Sequence, residues 1–346
     1  LNLLVMPIKI LVVFGTRPEA IKMLPLCQAL LQNKDFITKI CVTAQHREML
    51  DQILDIFDIK PDIDLNIMKH GQDLTDVTSS ILLGMRNVFL EHKPDLVLVH
   101  GDTTTTIASA MAAFYSKIPV GHIEAGLRTN NIHAPFPEEF NRQVVSRITS
   151  FHFAPTDLNS SNLESEGHLP KTIAVTGNTV IDALFWVLKR LDNDTNRKDQ
   201  IIRLLGEQLP FDCEKTKYIL ITGHRRENFG EGFINICEAI AELAIKFPTI
   251  DFVYPVHLNP NVQEPVINIL SKINNIHLIR PLDYEPFVYL LKNCYLVLTD
   301  SGGIQEEAPS LGKPVLVMRD VTERPEAINA GTVKLVGAEK AKIVNE

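Results

Sequence analysis

The sequence has no run of lysine and arginine residues, and acidic side chains outnumber basic ones. There are 42 aspartates and glutamates against 34 lysines and arginines, which gives a formal net charge of −8 at pH 7. Proteins that bind nucleic acid usually carry a basic patch or stripe that neutralises phosphates. We therefore expect no nucleic-acid partner.

Cysteine is scarce, and the histidines lack metal-binding spacing. The five cysteines are odd in number and widely spaced, mostly within apolar segments: Cys27, Cys41, Cys213, Cys237 and Cys294. This arrangement predicts buried thiols of a reducing compartment, and so a cytoplasmic protein, rather than a disulfide framework. The eleven histidines form no H-E-x-x-H motif and do not pair with cysteines at zinc spacing, so we expect no metal site.

The apolar stretch near the start is too short to cross a membrane. Residues 1–15 are interrupted by Pro7 and Lys9, whereas a membrane-spanning helix needs about 20 apolar residues. The stretch also lacks the basic region and small-residue cleavage site of a signal peptide. We expect no membrane partner and no signal peptide.

The G-x-G-x-x-G fingerprint of nicotinamide and flavin binding is absent as well. We therefore expect no such cofactor. This absence excludes chemistry that begins with oxidation by a bound nicotinamide.

What the sequence does contain is a repeated pattern of strand, loop and helix. Its 346 residues, of which 45% are hydrophobic and 22% charged, predict two globular domains at roughly 150 residues each. Apolar runs such as "IKILVVF" and "DLVLVHG" alternate with helical patterns such as "EAIKMLPLCQALLQ". Apolar strands without polar alternation, separated by helices, predict parallel sheets covered on both faces.

The pattern restarts after a polar stretch at residues 190–200, which is the best linker candidate. We therefore predict two doubly wound Rossmann-like domains of α/β class, at residues 7–185 and 200–346. Their openings resemble one another loosely, since a strand is followed by "GTRPE" at 15–19 and by "GHRRE" at 223–227.

The loop after the first strand is a candidate phosphate site. Ligands of parallel sheets bind beyond the carboxyl ends of the strands. Gly15 allows a tight turn and Pro18 suits the start of a helix, whose free N–H groups would hold phosphate together with Arg17 and Lys22. The alternative is an ordinary turn with a solvated arginine.

A second candidate loop lies in the second half, after "YLVLTD". The amides of Ser301, Gly302 and Gly303 could wrap a diphosphate, and Glu307 could accept hydrogen bonds from ribose hydroxyls. The alternative is a helix cap with a surface glutamate. A ligand that bridges this loop and the "GTRPE" loop would lie in a cleft between the domains.

Carboxylates follow two strands of the first half. Asp102 and Glu124 each end an apolar run, and Glu138 and Glu139 open a helix. Asp102 could instead cap the next helix, and Glu138 and Glu139 could complement the helix dipole, with Glu138 pairing to Arg142. Glu124 has no evident capping role, which favours a function.

Two histidines follow strands of the second half. His224 stands between a glycine and two arginines, and His257 ends "YPVH". The neighbouring arginines favour a functional His224, whereas for His257 a functional and a structural role are equally supported.

Ten segments together resemble a known family: "FGTRPEAIK", "AQHREMLDQ", "VHGDTTTT", "HIEAGLRT", "PFPEEFNRQ", "TGNTVIDAL", "TGHRREN", "YPVHLNPNV", "DSGGIQEEAPSLGKPV" and "TERPEA". The chain closely resembles the non-hydrolysing UDP-N-acetylglucosamine 2-epimerases from residue 8 to about residue 340. The resemblance implies two Rossmann-like domains of glycosyltransferase-B type with an interdomain cleft. It also implies a homodimer, UDP and UDP-N-acetylglucosamine as ligands, and a C-terminal domain truncated by a few dozen residues.

The resemblance also implies roles for individual residues. The acid and base carboxylates would be Asp102, Glu124 and Glu138. The residues that bind UDP would be Arg17, Lys22, His224, Phe287, Ser301, Gly302, Gly303, Glu307 and Arg324, with His224 also stabilising the leaving group. A second, regulatory UDP-sugar site would use Gln45, Arg47 and His257.

The chemistry agrees with this resemblance. The proton on sugar carbon 2 is not adjacent to a carbonyl group, so direct removal is strongly uphill. If UDP leaves first, carbon 2 becomes acidic and a carboxylate can remove its proton to give 2-acetamidoglucal. Return of a proton to the other face and of UDP completes epimerisation to UDP-N-acetylmannosamine, which requires acids on both faces of the sugar.

Three alternatives stay open. A hydrolysing 2-epimerase would release free N-acetylmannosamine, and a UDP-sugar glycosyltransferase would need an acceptor groove. A chain that binds UDP-sugar without turnover would be regulatory rather than catalytic.

Overall fold

The computed structural model describes residues 6–44, 47–69, 71–322 and 325–346. The chain divides into two compact units, residues 1–183 and 184–346. Each unit contains a parallel sheet with helices between successive strands. The predicted α/β class with two doubly wound sheets is confirmed.

In the described residues of the first unit, seven strands pair in the order β3-β2-β1-β4-β5-β6-β7. These strands are β1 (Ile8–Phe14), β2 (Phe36–Val42), β3 (Ile63–Asp64), β4 (Leu96–His100), β5 (Val120–Ile123), β6 (Phe151–Ala154) and β7 (Ile173–Val175). The helices are α1 (Arg17–Gln32), α2 (Arg47–Ile56), α3 (Leu74–His92), α4 (Thr104–Tyr115), α5 (Glu138–Ile148), α6 (Asp157–Ser165) and α7 (Thr179–Asn193), of which α7 continues past residue 183.

In the described part of the second unit, six strands pair in the order β10-β9-β8-β11-β12-β13. They are β8 (Tyr218–Thr222), β9 (Asp251–Pro255), β10 (Ile276–Ile279), β11 (Leu296–Thr299), β12 (Val315–Val317) and β13 (Val333–Leu335). The helices are α8 (Thr195–Gly206), α9 (Glu231–Lys246), α10 (Pro260–Leu270), α11 (Tyr284–Asn293), α12 (Ile304–Ser310), α13 (Pro325–Asn329) and α14 (Lys340–Asn345).

Within each sheet, two loops that follow neighbouring strands lie side by side where the strand order reverses. The strand order reverses between β1 and β4 in the first unit and between β8 and β11 in the second, and ligands bind beyond the strand ends at such switch points. Gly15 and Asp102 lie in the two loops at the first switch point. His224 and Asp300 lie in the two loops at the second.

The predicted linker at 190–200 is largely helical. It contains the end of α7 and the start of α8, separated by Asp194. The Asp194 side chain accepts a hydrogen bond from the Arg197 N–H at 3.0 Å and so caps α8. Polar composition in this stretch therefore reflects exposed helix faces and a cap.

The cysteines are buried free thiols, as predicted. Burial raises the pKa of the Cys41 thiol to about 12. Among the helices in the described ranges, none is long and apolar enough to cross a membrane.

Candidate active site

Glu124 follows β5 and is held by two partners. Its φ of 61° lies in the left-handed region that non-glycine residues rarely adopt. Its Oε2 atom forms an ion pair with Nζ of Lys22 and lies 3.0 Å from Nε2 of His100. Burial alone would raise the pKa of this carboxyl, but the charges of Lys22 and His100 outweigh burial and hold its pKa well below the ordinary value. Glu124 is therefore a carboxylate near neutral pH.

Asp102 lies two residues beyond β4 and has a different environment. The Nη2 atom of Arg142 donates to Oδ2 of Asp102 at 2.7 Å. Burial raises the pKa of the Asp102 carboxyl; Arg142 opposes this effect, and the charges of Glu124 and Glu138 add to it. The alternative that Asp102 caps α4 is wrong, because the N-cap residue is Thr103.

Glu138 and Glu139 both begin α5 but have different surroundings. Glu139 is fully buried and accepts hydrogen bonds from the N–H groups of Thr129 and Asn130 at 3.0 and 3.2 Å. Among the described residues, Arg142 contacts Glu139 at 3.4 Å rather than forming the suggested pair with Glu138. Glu139 thus fixes the loop before α5, while the half-buried Glu138 adds to the rise in the pKa of Asp102.

Glu19 occupies two amides of the loop before α1, whereas the predicted phosphate site uses the N–H groups of α1 itself. Its Oε2 atom accepts from the N–H groups of Gly15 and Thr16 at 3.0 and 2.8 Å. Its Oε1 atom accepts from the hydroxyls of Thr103 and Thr106 at 2.7 and 3.3 Å. The carboxylate, 2% exposed, therefore joins the loop of Arg17 to the loop of Asp102. Phosphate binding by these two amides is excluded while Glu19 holds them.

Gly15 is required by close packing rather than by a special turn. A Cβ atom at this position would lie 1.9 Å from Oγ1 of Thr43 and 2.5 Å from Oγ1 of Thr105. The two hydroxyls are 2.9 Å apart and hydrogen-bonded to each other. The loop therefore lies against its neighbours with no space for a side chain.

A similar arrangement holds the His224 loop in the second unit. Asp300, fully buried directly after β11, accepts from the N–H groups of His224 and Arg225 through Oδ2, at 2.8 Å each. In the first unit the acid belongs to the helix after the β1 loop, whereas here it follows the neighbouring strand. Both units therefore tie their two switch-point loops together with a carboxylate.

His257 stacks on His224. The ring centroids are 5.2 Å apart and the planes differ by 11°. Nδ1 of His257 accepts from the N–H of Asn259 at 3.1 Å, so the proton of a neutral His257 is on Nε2. The structure thus brings together two histidines that the sequence resemblance assigns to different sites.

The second candidate loop precedes α12, with Ser301, Gly302 and Gly303 in sequence after Asp300. Glu307 is not a surface residue, because it is only 7% exposed. Its Oε1 atom accepts from the Tyr284 hydroxyl at 3.4 Å. Phe287 lies on α11 and is half-buried.

Three predicted site residues fall outside what can be described. Gln45 and Arg324 lie outside the described residues, and for Arg47 only its position at the start of α2 is described. Within the described ranges, no group of three His, Cys, Asp or Glu side chains is placed to hold a metal ion.

Comparison with known proteins identifies the family of this chain. Residues 28–346 match the family model described as UDP-N-acetylglucosamine 2-epimerase. The chain belongs to this family. The family predicted from the sequence motifs is thereby confirmed.

Several relatives share most of the epimerase chain. The UDP-N-acetylglucosamine 2-epimerase of Campylobacter jejuni is 59% identical over 98% of this chain and 88% of its own length. That of Escherichia coli (strain K12) is 57% identical over 98% of this chain and 89% of its own.

Solved structures agree with this family assignment. The UDP-GlcNAc 2-epimerase of Neisseria meningitidis, solved bound to UDP-GlcNAc, is 56% identical with a TM-score of 0.90, over 98% of this chain and 90% of that one. The Methanocaldococcus jannaschii epimerase, in complex with UDP-GlcNAc and UDP, is 34% identical with a TM-score of 0.82, over 98% and 91%. A kitacinnamycin glycotransferase, 11% identical with a TM-score of 0.60, shares the fold alone. The predicted glycosyltransferase-B type of fold is confirmed.

Sequence reasoning missed three residues that contact candidate site residues or their loops: Glu19, His100 and Asp300. Each had a signal. His100 and Asp300 end apolar runs at strand exits, and Glu19 stands three residues after a threonine, as in a capping box. Their partners are distant in sequence, so the pattern alone could not identify what they bind.

Proposed function

We propose that this chain interconverts UDP-N-acetylglucosamine and UDP-N-acetylmannosamine without hydrolysis. The reaction proceeds by elimination of UDP and its re-addition to 2-acetamidoglucal. The proposal is supported mainly by family membership together with the surroundings of Asp102, where the charges of Glu124 and Glu138 add to the rise in the pKa of its carboxyl. Epimerisation needs several acid and base groups around one carbon atom.

The environments of two carboxylates suit opposite roles. Glu124 is held ionised by Lys22 and His100, so it is suited to accept the carbon 2 proton. Asp102, whose pKa is raised by burial against the opposing charge of Arg142, is the proposed group that returns a proton. Environments that push two pKa values apart are a common way to separate an acid from a base.

The UDP part binds mainly to residues of the second unit. The proposed contacts are His224, Phe287, Ser301, Gly302, Gly303, Glu307 and Arg324, together with Arg17 and Lys22 of the first unit. Cationic side chains and the amides of the Ser301–Gly303 loop would offset the negative charge that develops on the leaving diphosphate. Glu19 already occupies the Gly15 and Thr16 amides, so these two amides do not contribute.

A second UDP-sugar would regulate the enzyme through Gln45, Arg47 and His257. His257 stacks on His224, so a ligand that moves His257 would also move His224, which is proposed to bind the diphosphate.

We further propose a cytoplasmic homodimer. Helices α3 and α4 pack against each other and carry four large apolar side chains that are more than half exposed: Leu83, Leu90, Phe114 and Tyr115. Such side chains are typical of a surface that a second copy covers.

Product analysis tests this function. Purified protein is incubated with UDP-N-acetylglucosamine alone and the mixture is followed by proton NMR. The proposal predicts UDP-N-acetylmannosamine as the accumulating product. Free N-acetylmannosamine with stoichiometric UDP would indicate a hydrolysing enzyme. Binding without conversion would indicate a glycosyltransferase that lacks its acceptor or a regulatory protein.

A further inference from the structure

The two carboxylate oxygens of Asp300 are used unequally. Oδ2 accepts two backbone hydrogen bonds, from His224 and Arg225. Oδ1 is buried and has no hydrogen-bond partner among the described residues. Nδ1 of the His224 ring lies 3.8 Å from Oδ1.

An unpaired oxygen on a buried carboxylate is costly, because burial removes water that would otherwise hydrogen-bond to it. The equivalent acid of the first unit leaves neither oxygen unused, since Glu19 accepts bonds through Oε1 and Oε2 alike. Asp300 is the exception in this comparison. The unpaired Oδ1 therefore indicates that a hydrogen-bond donor approaches it in another state of the enzyme.

His224 is suited to be that donor. Its backbone is fixed by Asp300, whereas its side chain is 43% exposed and has room to turn. A small rotation brings Nδ1 from 3.8 Å to the hydrogen-bond distance of about 2.8 Å. Catalytic hydrogen bonds are often long in ligand-free enzymes and tighten when the ligand binds.

We propose that Asp300 is a positioning residue for His224: its Oδ1 accepts a hydrogen bond from Nδ1–H of His224 when a nucleoside diphosphate is bound. This inference rests on the proposed function for the role of the diphosphate. With Nδ1 directed at Asp300, Nε2–H of the same ring is directed outward and donates to the diphosphate oxygens. In this complex the ring carries a proton on both nitrogens, the second taken from solvent on binding, and keeps both during the elimination, so the pair stabilises the departing UDP and transfers nothing to it.

The charges around His224 favour this arrangement only when the ligand is present. Burial lowers the pKa of His224; Asp300 raises it, and the neighbouring His257 and Arg225 lower it, with a net lowering. Without ligand the ring is therefore mostly neutral at pH 7. A diphosphate adds negative charge at Nε2, and together with Asp300 it favours the imidazolium form.

The direct test is an NMR titration of the His224 ring in the UDP complex, with its resonance assigned from its loss in His224→Gln. In the wild-type protein UDP should raise the pKa of His224. In Asp300→Asn, which keeps an acceptor for the two amides, the rise should shrink by about one unit or more. The matched control is Asp251→Asn, which removes the carboxylate from the His277 pair (2.6 Å) in the same sheet and should leave His224 unchanged.

Kinetics supply a second readout. Asp300→Asn should lower kcat by at least about tenfold, and the same substitution in a His224→Gln background should have almost no further effect, because groups that act as one unit are not additive. Equal losses in both backgrounds, or an unchanged titration of His224 in Asp300→Asn, would overturn the proposal. The NMR titration needs only UDP binding, so it separates failure of this inference from failure of the proposed epimerase activity.

Discussion

Nε2 of His100 lies 3.0 Å from Oε2 of Glu124, the oxygen that also pairs with Lys22. The charges of Lys22 and His100 beside this carboxylate favour its ionised form. The proposed reaction depends on this relationship, because a base must be ionised before it can remove the proton on carbon 2.

Replacing Glu124 tests its role as the base. Glu124→Gln keeps the size of the side chain but cannot accept the proton, so kcat should fall by at least about 10²-fold. The affinity for UDP, measured by calorimetry, should change little. The control is Glu91→Gln, at a glutamate whose side chain is 76% exposed; it should match the wild type. Near-normal turnover in Glu124→Gln would remove Glu124 from the catalytic group.

The pH dependence of kcat/KM tests the cause of the low pKa. Because Lys22 and His100 hold the pKa of Glu124 well below 4.5, the acid limb that Glu124 sets should lie below pH 4.5. Lys22→Met removes one positive charge, so the pKa of Glu124 should rise and the limb should move to higher pH. The exposed Lys34→Met is the control. A limb that stays in place would show that Lys22 does not set this ionisation.

The same shift has a consequence for stability. The pKa of Glu124 is lower in the folded than in the unfolded chain, so ionised Glu124 stabilises the fold above its unfolded pKa. This contribution is lost as the pH falls through the folded pKa. Urea unfolding of the wild type and of Glu124→Gln should therefore differ at pH 7 and converge in strong acid.

Glu19→Gln tests the carboxylate that joins the first two loops. The change replaces a charged acceptor by a neutral amide and turns one oxygen into a donor that faces N–H or O–H groups. We expect a loss of about 2 kcal/mol in the free energy of unfolding, measured in urea, together with lower turnover because Arg17 and Asp102 lie in these loops. Glu91→Gln again serves as control. Unchanged stability would mean that the loops are held by other contacts.

Substrate titration tests the regulatory proposal. If UDP-N-acetylglucosamine binds at His257 and favours the active state, initial rates should rise sigmoidally with its concentration. UDP-N-acetylmannosamine alone should react slowly in reverse, and a small amount of UDP-N-acetylglucosamine should accelerate it. His257→Ala should make the curve hyperbolic. A hyperbolic curve in the wild type would exclude this activation.

Much of the fold could be predicted from the sequence because parallel strands are locally apolar. "IKILVVF" corresponds to β1 residue for residue. The polar stretch at 190–200 was less informative, since exposed helix faces and linkers have the same composition, and only the Asp194 cap distinguishes them.

Candidate site residues could be proposed from the sequence where they stand at a strand exit, as Asp102 and Glu124 do. They could not be proposed where the role depends on a partner far along the chain. Glu19 resembles an ordinary capping residue, yet it reaches Thr103, 84 residues away. Asp300 holds the amides of a loop 76 residues earlier. Such contacts are fixed by sheet order, which sequence patterns specify only in outline.

In the proposed reaction a carboxylate removes the proton from carbon 2 after UDP departs. The most direct measurement is to run the reaction in heavy water with no added nicotinamide or metal and to examine carbon 2 of the recovered sugars by NMR and mass spectrometry. One deuterium is expected at carbon 2 of the UDP-N-acetylmannosamine formed, and also at carbon 2 of the UDP-N-acetylglucosamine recovered at equilibrium. Epimerisation with the original hydrogen retained at carbon 2 would contradict it.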